Sequence, residues 1–282
     1  GTDVNTPDAD QLEQMSPEDN AAALAAELAA RAAELKSAGA ASQPVTMSAK
    51  LIDDGPIIPS GLIWRIFSAD ETTNGDVKII DRSDQATAVF SLPPGEYLAQ
   101  ASYGFAQASD TLVVTDAPQA HVLVLDAGAL KLDARISGDI EIPKHLLSFE
   151  IYPQGLGDDP RSVIAKDVQP GELVHLNAGI YHVISRFGSV NAVAETDLRV
   201  DKGQLTDATL FHDAAQISFR LVSDTGGEAI ADVDWTINDA DGKTVYQFTG
   251  TFPSAILAKG DYTVLAKRGD TVYNRGFSVV PG

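Results

Sequence analysis

A six-residue motif, Leu-x-x-Gly-x-Tyr, occurs three times in the chain and sets its period. The motif occupies residues 92–97, 176–181 and 257–262, so its tyrosines stand 84 and 81 residues apart. Seven residues after each tyrosine comes a glycine, and ten residues after the glycine comes an apolar residue. The glycines are Gly104, Gly188 and Gly269, and the apolar residues are Val114, Leu198 and Val279. This shared register indicates three tandem copies of one unit of about 80 to 85 residues.

The register continues on the N-terminal side of the motif. Each copy carries one large aromatic residue there: Trp64, Phe149 and Trp235. Further upstream, each copy opens on apolar residues at alternate positions. These are Val45, Met47, Ala49 and Leu51 in the first copy, Leu130, Leu132, Ala134 and Ile136 in the second, and Ile217, Phe219 and Leu221 in the third. A period of two predicts a strand with one buried face and one solvated face.

The motif itself predicts a tyrosine corner. Its glycine permits a positive φ, and its tyrosine buries the ring while the hydroxyl reaches back to a nearby carbonyl. The pairs are Gly95 with Tyr97, Gly179 with Tyr181, and Gly260 with Tyr262. Each copy also has about seven short strand-like runs with turn signals about every 8–12 residues. The sequence therefore predicts an all-β chain built from three tandem Greek-key β-sandwich repeats.

On these residues the copies resemble the immunoglobulin-like and transthyretin-like (prealbumin-like) repeats of bacterial envelope proteins. That type of repeat is marked by Leu-x-Pro-Gly-x-Tyr followed by a hairpin with a glycine turn. The first copy keeps Pro94-Gly95, whereas the other two have Ala178-Gly179 and Lys259-Gly260. The resemblance covers residues 45–282 and extends to repeat-bearing envelope proteins of alphaproteobacteria. It implies a sandwich fold and an envelope location, and it specifies the fold far better than an activity.

The predicted repeats span residues 45–127, 128–213 and 214–282. The first two copies continue into one more strand-like run, at residues 121–125 and 208–211, but the third stops at Val280-Pro281-Gly282. The third repeat is therefore expected to lack its last strand. Either the chain has been cut short, or the repeat presents an open sheet edge that another molecule completes by strand addition.

Residues 1–44 form an acidic tail, with eight acidic and two basic side chains. The first fifteen residues are expected to be disordered because they contain few large apolar side chains. Ser16 and Pro17 then mark the start of a helix over about residues 17–37. This helix is mostly alanine, with leucine only at Leu24, Leu28 and Leu35. We interpret it as a spacer, with a short coiled-coil or docking helix as the alternative.

Composition excludes several classes of partner. Forty acidic and twenty basic residues give a net charge of −20, which repels nucleic acid and anionic lipid surfaces. No stretch of 18 apolar residues is present, so no membrane span is predicted. The chain has no cysteine, which rules out disulfides and thiolate chemistry. Nucleophile elbows, phosphate-binding glycine loops and zincin motifs are absent, so we predict no enzyme activity and no cofactor.

Two groups of residues are candidate metal sites. His175 and His182 flank the motif of the second copy on neighbouring predicted strands, but no carboxylate stands at a defined spacing from them. Residues 238–242 look like a calcium loop, yet Ile237 occupies the first ligand position and no glutamate closes the loop. The Asp-Gly pair there predicts a hairpin turn instead. We predict no metal, with calcium at this turn or at the acidic turns 53–54 and 158–159 as the weaker alternative.

Two loop tips offer candidate contacts with a ligand or partner. Tyr103 and Phe105 flank the turn glycine of the first copy. Arg268 and Asp270 flank the turn glycine of the third copy and form an integrin-type tripeptide with it. The simpler interpretation is that Gly269 is the turn glycine of the repeat and that its neighbours are exposed by the hairpin.

Tandem sandwiches without catalytic groups act most often as spacers, adhesive modules or assembly subunits. We therefore predict a structural and interaction protein of the bacterial cell envelope, periplasmic or extracellular, whose partner is a protein or a second copy. No leader precedes residue 1, so this location requires a processed chain, and a cytosolic protein is the alternative. A module that binds a glycan or small ligand, and accessory domains of a larger enzyme, are the other hypotheses.

Overall fold

The structure is a computed structural model, and it describes residues 41–73, 76–155, 162–223 and 226–282. Within these residues the chain forms 21 β-strands, and its helical structure is one 3-10 turn at Lys144–Leu146. The predicted all-β class is confirmed. The predicted tail and helix, with Leu24, Leu28 and Leu35, and the acidic turn at residues 158–159 lie outside the described residues.

The first seven strands form the first repeat. They are β1 (Gln43–Lys50), β2 (Leu62–Thr73), β3 (Asp76–Ser83), β4 (Ala88–Leu92), β5 (Gly95–Tyr103), β6 (Ala106–Val114) and β7 (Gln119–Val124). They build one sheet in the order β4-β1-β7 and a second in the order β3-β2-β5-β6. The predicted inward face of β1 is buried at Val45, Met47 and Ala49, as are Trp64 and Phe90.

The next eight strands form the second repeat. They are β8 (Ala127–Ile136), β9 (Ile140–Glu141), β10 (Leu147–Pro153), β11 (Ala165–Val168), β12 (Leu173–Asn177), β13 (Gly179–Phe187), β14 (Ala192–Val200) and β15 (Leu205–His212). The sheets have the orders β12-β8-β15, with β9 also paired to β8, and β11-β10-β13-β14. Strand β15 runs parallel to β8, whereas β12 runs antiparallel to it. Both sheets contribute to one core, which includes Leu130 from the first sheet and Phe149 from the second.

The last six strands form the third repeat. They are β16 (Ala214–Ser218), β17 (Asp234–Asp239), β18 (Thr244–Thr249), β19 (Ser254–Ala258), β20 (Gly260–Arg268) and β21 (Thr271–Val279). The sheets have the orders β16-β19 and β18-β17-β20-β21 and share a core with Trp235 and Leu257. Among the described strands, β16 has β19 as its sole sheet neighbour. The backbone N–H of Gly282 donates to Ala214 O over 3.1 Å, as that of Gly203 does to Ala127 O over 2.8 Å in the second repeat.

The same four-stranded sheet therefore occurs three times, as β3-β2-β5-β6, β11-β10-β13-β14 and β18-β17-β20-β21. This recurrence confirms tandem β-sandwich repeats. By contacts, the described residues form two compact units. One unit contains residues 41–49, 62–101 and 109–123, and the other contains residues 50–61, 102–108 and 124–282. The repeat boundaries after residues 127 and 213 stay predictions.

The tyrosine corner is present in all three copies. Each hydroxyl donates to the carbonyl oxygen four residues earlier: Tyr97 to Pro93 O at 2.9 Å, Tyr181 to Asn177 O at 2.7 Å, and Tyr262 to Ala258 O at 2.8 Å. The predicted positive φ is wrong for Gly95 and Gly179, which do not adopt one. A Cβ atom at either glycine would lie 3.6 Å from the ring of the tyrosine two residues later. The corner glycine therefore lies beneath an aromatic ring at the start of an extended strand.

The hairpin that follows the corner differs between the copies. Its turn comprises two residues in the first and third repeats but four, residues 188–191, in the second. As a result Gly179 pairs with Val200, just as Gly260 pairs with Val279. Val200, and not Leu198, is therefore the counterpart of Val279. Aligning the copies without a gap therefore misplaces the returning strand of the second copy by two residues, because its turn is two residues longer.

We expect Tyr181→Phe to lower the free energy of unfolding by about 1 kcal/mol, the typical net contribution of one hydrogen bond. The substitution keeps the ring and removes only the bond to Asn177 O. Burial raises the pKa of the Tyr181 hydroxyl, so the group is neutral throughout the range in which the protein would be measured. Chemical denaturation would test this, with Tyr273→Phe on the exposed face of β21 as the control. Equal losses in the two variants would contradict the corner as a stabilising element.

Candidate interaction surface

The hairpin tip of the first repeat contacts the edge strand β12 within the second compact unit. The N–H of Phe105 donates to His175 O over 3.0 Å. The side-chain amide of Asn177 makes two hydrogen bonds to the backbone of Gln107. Its Nδ2 donates to Gln107 O over 2.9 Å, and its Oδ1 accepts from Gln107 N over 3.0 Å. The rings of Tyr103 and His175 lie 4.1 Å apart between centroids. The turn glycine allows this approach, because a Cβ atom at Gly104 would lie 3.2 Å from His175 Cβ.

The hairpin tip of the second repeat makes a corresponding contact with the edge strand β19. A Cβ atom at Gly188 would lie 3.0 Å from Ile256 Cβ. The Oδ1 of Asn191 accepts from Ala258 N over 3.0 Å, and its Nδ2 donates to the Tyr262 hydroxyl over 3.0 Å. Ile256 is buried in the core of the second repeat, and Val190 packs against the core of the third. The third repeat thus contributes a side chain to the core of the second repeat, and the second repeat contributes one to the core of the third.

The two contacts are equivalent in position. His175 and Ile256 both stand directly before the motif leucine, and Gly104 and Gly188 are both turn glycines. The backbone beside them also matches: Ala178 N donates to Asp126 O over 2.8 Å, and Lys259 N donates to Asp213 O over 2.7 Å. We call each of these a tip-to-edge contact, formed by residues 103–107 with 175–177 and by residues 188–191 with 256–258. The chain has therefore built the same contact twice from different side chains.

Only part of this surface is predictable from the sequence. Tyr103 and Phe105, proposed as ligand contacts, lie in the first tip-to-edge contact, where Phe105 is still 45% exposed. The tip with Arg268 and Asp270 is exposed. Asn177, Asn191 and Ile256 were missed, because none belongs to a motif and their partners are 70, 67 and 68 residues away in sequence. Their only signal is that two of them are asparagines beside turns.

The remaining candidate sites are each satisfied by ordinary contacts. Burial lowers the pKa of His175, which lies against Tyr103, while His182 Nδ1 contacts Asp197 Oδ1 at 2.8 Å. The turn at residues 238–242 is the predicted hairpin, in which the Asp239 carboxylate accepts from the N–H groups of Asp241 and Lys243. Over the part of the chain that the structure describes, no three His, Asp or Glu side chains are grouped to hold a metal ion.

One serine and histidine pair lies inside the second repeat. Ser185 Oγ and His212 Nε2 are 2.8 Å apart, and neither side chain reaches solvent, with exposures of 0% and 1%. His212 Nδ1 is buried without a hydrogen-bond partner among the described residues, and the Phe187 ring lies 5.8 Å away. Burial lowers the pKa of His212 to about 4, so the imidazole is neutral at physiological pH. The pair ties β13 to β15 across the core, out of reach of a substrate.

We expect Gly188→Ala to destabilise the protein more than Gly269→Ala. Both glycines have a positive φ, of 72° and 57°, so both substitutions carry a backbone cost of about 1–2 kcal/mol. The added Cβ atom at Gly188 would lie 2.8 Å from Ile256 Cδ1, whereas at Gly269 it would have no described residue within 4 Å. Overpacking should therefore add about 1–3 kcal/mol at Gly188. Chemical denaturation of both variants measures the difference, and equal losses would show that the contact tolerates an added methyl group.

One family of repeats matches part of the chain. Residues 216–282 match the sequence model of the Rhizobiales growth-associated tandem repeat domain. The fold thus defines a protein of tandem β-sandwich repeats, and its third repeat is similar to a tandem repeat of alphaproteobacteria, as the sequence predicted. No curated protein matches the chain in sequence. No helix among the described residues is long and apolar enough to cross a membrane.

Several solved structures show a distant likeness. The Bacillus anthracis TIE protein is 14% identical, with 85% of this chain and 48% of that chain covered and a TM-score of 0.25. The minor pilin of Streptococcus agalactiae is 15% identical over 61% of this chain and 95% of its own, with a TM-score of 0.33. A streptococcal ancillary pilin is 12% identical over 84% and 95%, with a TM-score of 0.29. The chain spans about half the length of the first of these proteins.

Proposed function

We propose that this chain is a non-enzymatic structural and interaction module of the bacterial cell envelope, located in the periplasm or outside the cell. The observation that supports it is the recurrence of the tip-to-edge contact. Ile256 is buried in the core of the second repeat and Val190 packs against the core of the third, so packed contacts join these two sandwiches. Repeats of this kind present loop tips and edge strands to a partner, which is what assembly and adhesive modules require.

The chemistry of the described residues supports a protein partner over a reaction. The pair that most resembles a catalytic one, Ser185 with His212, is buried in a core and has no acidic partner. The net charge of −20 disfavours nucleic acid and anionic lipid as partners. The acidic tail is then a tether or docking segment. A glycan site stays a prediction, and it now depends on Phe105 alone because the Tyr103 ring is packed on His175.

Localisation in the native host tests the envelope role. The chain, expressed with its own flanking gene sequence and a C-terminal tag, should be degraded when protease is added to intact cells or to cells with a permeabilised outer layer. A cytosolic enzyme serves as the control for cell integrity. Protection of the tagged protein together with that control would overturn an envelope location.

Complementation tests the non-enzymatic role. The double variant Ser185→Ala with His212→Leu should restore the phenotype of a gene deletion as fully as the parent chain does, since the buried pair has a structural role. The melting temperature of the purified variant, measured first, shows that it folds. A folded variant that fails to complement would contradict the proposal.

A further inference from the structure

We propose that the chain forms a symmetric dimer with a second copy of itself, in which the edge strands β15 of the two copies pair antiparallel. Leu205 of each copy would face Phe211 of the other, and Asp207 would face Thr209. This inference rests on the proposed function only in taking a protein as the partner, and it names that partner as a second copy of the chain.

Strand β15 presents an unpaired backbone edge. It lies at the end of the sheet β12-β8-β15, and β8 is its one sheet neighbour among the described strands. The N–H of Ala129 in β8 donates to Gln204 O over 2.9 Å, so in this parallel ladder the even-numbered residues of β15 bond to β8. The N–H and C=O groups of the odd-numbered residues, 205 to 211, therefore point away from the sheet, where another strand has access to them.

This free edge does not depend on where the chain begins or ends. The second repeat is flanked in sequence by the first and third repeats, and among the described residues neither of them supplies a strand that pairs with β15. A further repeat at either end of the chain would extend from the first or the third repeat and not from the second. The free edge is therefore a property of the second repeat itself.

The first repeat bridges the corresponding edge with side chains. Its edge strands β6 and β7 are linked where Gln119 Nε2 donates to Val113 O over 2.9 Å. They are linked again where His121 Nε2 lies 3.0 Å from Asp110 Oδ2. These contacts occupy the gap between the two sheets along that side of the sandwich.

The second repeat leaves the same gap open. Among the described residues, the hydrogen bond that links its edge strands β14 and β15 runs from Thr206 Oγ1 to Arg199 O, beside the turn that connects them. The rest of the gap is a groove of about 280 Å³. Its apolar lining is Ala194, Leu198, Ala208, Leu210 and Phe211. A second strand placed beside β15 would cover this groove.

The exposed side chains of β15 are arranged symmetrically about Ala208. Leu205 and Phe211, each 54% exposed, stand at equal distances before and after it, and Asp207 and Thr209 stand directly beside it. When two such strands pair antiparallel with Ala208 opposite Ala208, the apolar side chains face each other and each carboxylate faces a hydroxyl. Apolar and hydrogen-bonded cross-strand pairs of this kind stabilise antiparallel sheets.

The neighbouring registers lack this match. A shift in one direction places Asp207 opposite Asp207 of the second copy, and like charges directly opposite one another are destabilising. A shift in the other direction places Asp207 opposite Phe211 and leaves Leu205 opposite no residue of β15. In the proposed register the carboxylate is also compensated, because Lys131 Nζ lies 2.5 Å from Asp207 Oδ2. This self-complementarity favours a second copy over a strand of unrelated sequence.

The geometry also sets the kind of assembly. Each copy contributes the same surface, so the contact is isologous and closes on itself. It joins the two sheets into one, with the order β12-β8-β15-β15-β8-β12, and occupies the β15 edge of both copies. Association should therefore stop at the dimer. Copies with a charge of −20 repel one another, so raising the salt concentration should strengthen the dimer.

A disulfide between identical positions tests the register, because the chain contains no cysteine. Ala208 would lie opposite its counterpart in a pair without hydrogen bonds, with Cα atoms about 4.5 Å apart, a separation that disulfides span. The two Thr209 residues would lie on a diagonal of about 7–8 Å, which a disulfide does not span. Under mild oxidation Ala208→Cys should form at least about tenfold more covalent dimer than Thr209→Cys, a ratio that corresponds to ~1.4 kcal/mol.

Thr209→Cys is a stringent control. Thr209 is exposed and Ala208 is half-buried, so random collisions favour the cysteine at residue 209. The melting temperatures of the two reduced variants, compared with that of the parent, show that both fold. Equal yields, or more dimer with Thr209→Cys, would overturn the register and with it the proposal.

Sedimentation equilibrium of the unmodified chain is the second measurement. The mean mass should rise with protein concentration and with salt until it reaches that of a dimer. Phe211→Ala should raise the dissociation constant at least about tenfold, which corresponds to ~1.4 kcal/mol. The Phe211 ring is exposed in the single chain, so its removal leaves the fold of the monomer intact. Phe252→Ala is the matched control, because Phe252 is 66% exposed in the third repeat and its loss should leave the dissociation constant unchanged.

Three outcomes of sedimentation would overturn the proposal. A chain that stays monomeric up to about millimolar concentration, the affinity limit of weak specific contacts, would leave the β15 edge to a strand of another protein. Growth beyond the dimer would contradict a closed contact. Equal weakening by the two alanine variants would show that another surface drives association. All of these experiments use purified protein, so their failure is distinct from failure of the envelope localisation.

Discussion

Phe149→Ala is expected to lower the free energy of unfolding of the second repeat by about 3–5 kcal/mol, the range for truncating a large buried aromatic side chain. Phe149 is fully buried in β10 and belongs to a core with residues from both sheets, including Leu130 and Val183. The loss combines the transfer of the ring into water with the cavity that the surrounding strands cannot close. Because a domain's whole stability is about 5–15 kcal/mol, this repeat should be the first to unfold in the variant.

The measurement must report on the second repeat alone. The two tryptophans of the chain are Trp64 and Trp235, in the first and third repeats, so intrinsic fluorescence is insensitive to this change. Hydrogen exchange of peptides from residues 147–153, measured in increasing urea, reports the unfolding of the second repeat alone. Phe211→Ala is the control in the same repeat, since that ring is 54% exposed and its loss should shift stability by about 0.5 kcal/mol or less. Similar shifts in both variants would contradict a core role for Phe149.

Acid is expected to destabilise the second repeat through His212. The pKa of His212 is lowered to about 4 by burial in the folded chain, whereas an unfolded histidine has a pKa of about 6.5. Between these values the unfolded state binds a proton that the folded state does not, so stability falls as the pH falls from 6.5 to 4. The difference in pKa corresponds to a loss of about 3 kcal/mol, complete below pH 4.

The double variant Ser185→Ala with His212→Leu separates this effect from the titration of carboxylates. Replacing both partners of a buried hydrogen bond by apolar groups is close to neutral, so the variant should match the parent at pH 7.5. It should then lose about 3 kcal/mol less than the parent between pH 6.5 and pH 4. Hydrogen exchange or urea unfolding at both pH values measures this, with His145→Gln at an exposed position as the control. Parallel pH curves for parent and double variant would show that His212 does not titrate on unfolding.

Much of the fold was predictable because it depends on local patterns. Alternation of apolar residues identified the inward face of β1 and β8, and the three motif tyrosines make the same bond to the carbonyl four residues earlier. The register of the returning strand was not predictable in the second repeat. Two additional turn residues shift Leu198 out of the position that Val200 takes, and an ungapped comparison of copies does not detect such an insertion.

The candidate site was predictable only in its location. Turn glycines at 104, 188 and 269 mark the three hairpin tips, and the sequence placed Tyr103, Phe105, Arg268 and Asp270 there. It gave no indication that the first two tips are docked and the third is exposed. That difference depends on residues about 70 positions away, such as Asn177, whose amide pairs with the backbone of Gln107.

The sequence by itself determined the number of copies, the sandwich class and the corner of each repeat, because these follow from periodicity and from residues a few positions apart. The tertiary structure decided the rest. It showed that the motif glycines of the first two copies lie beneath an aromatic ring without a positive φ, that His212 is enclosed with Ser185, and that two hairpin tips each contact an edge strand. Those facts depend on which strand is packed beside which, and burial and long-range hydrogen bonds of that kind leave no period in a single chain.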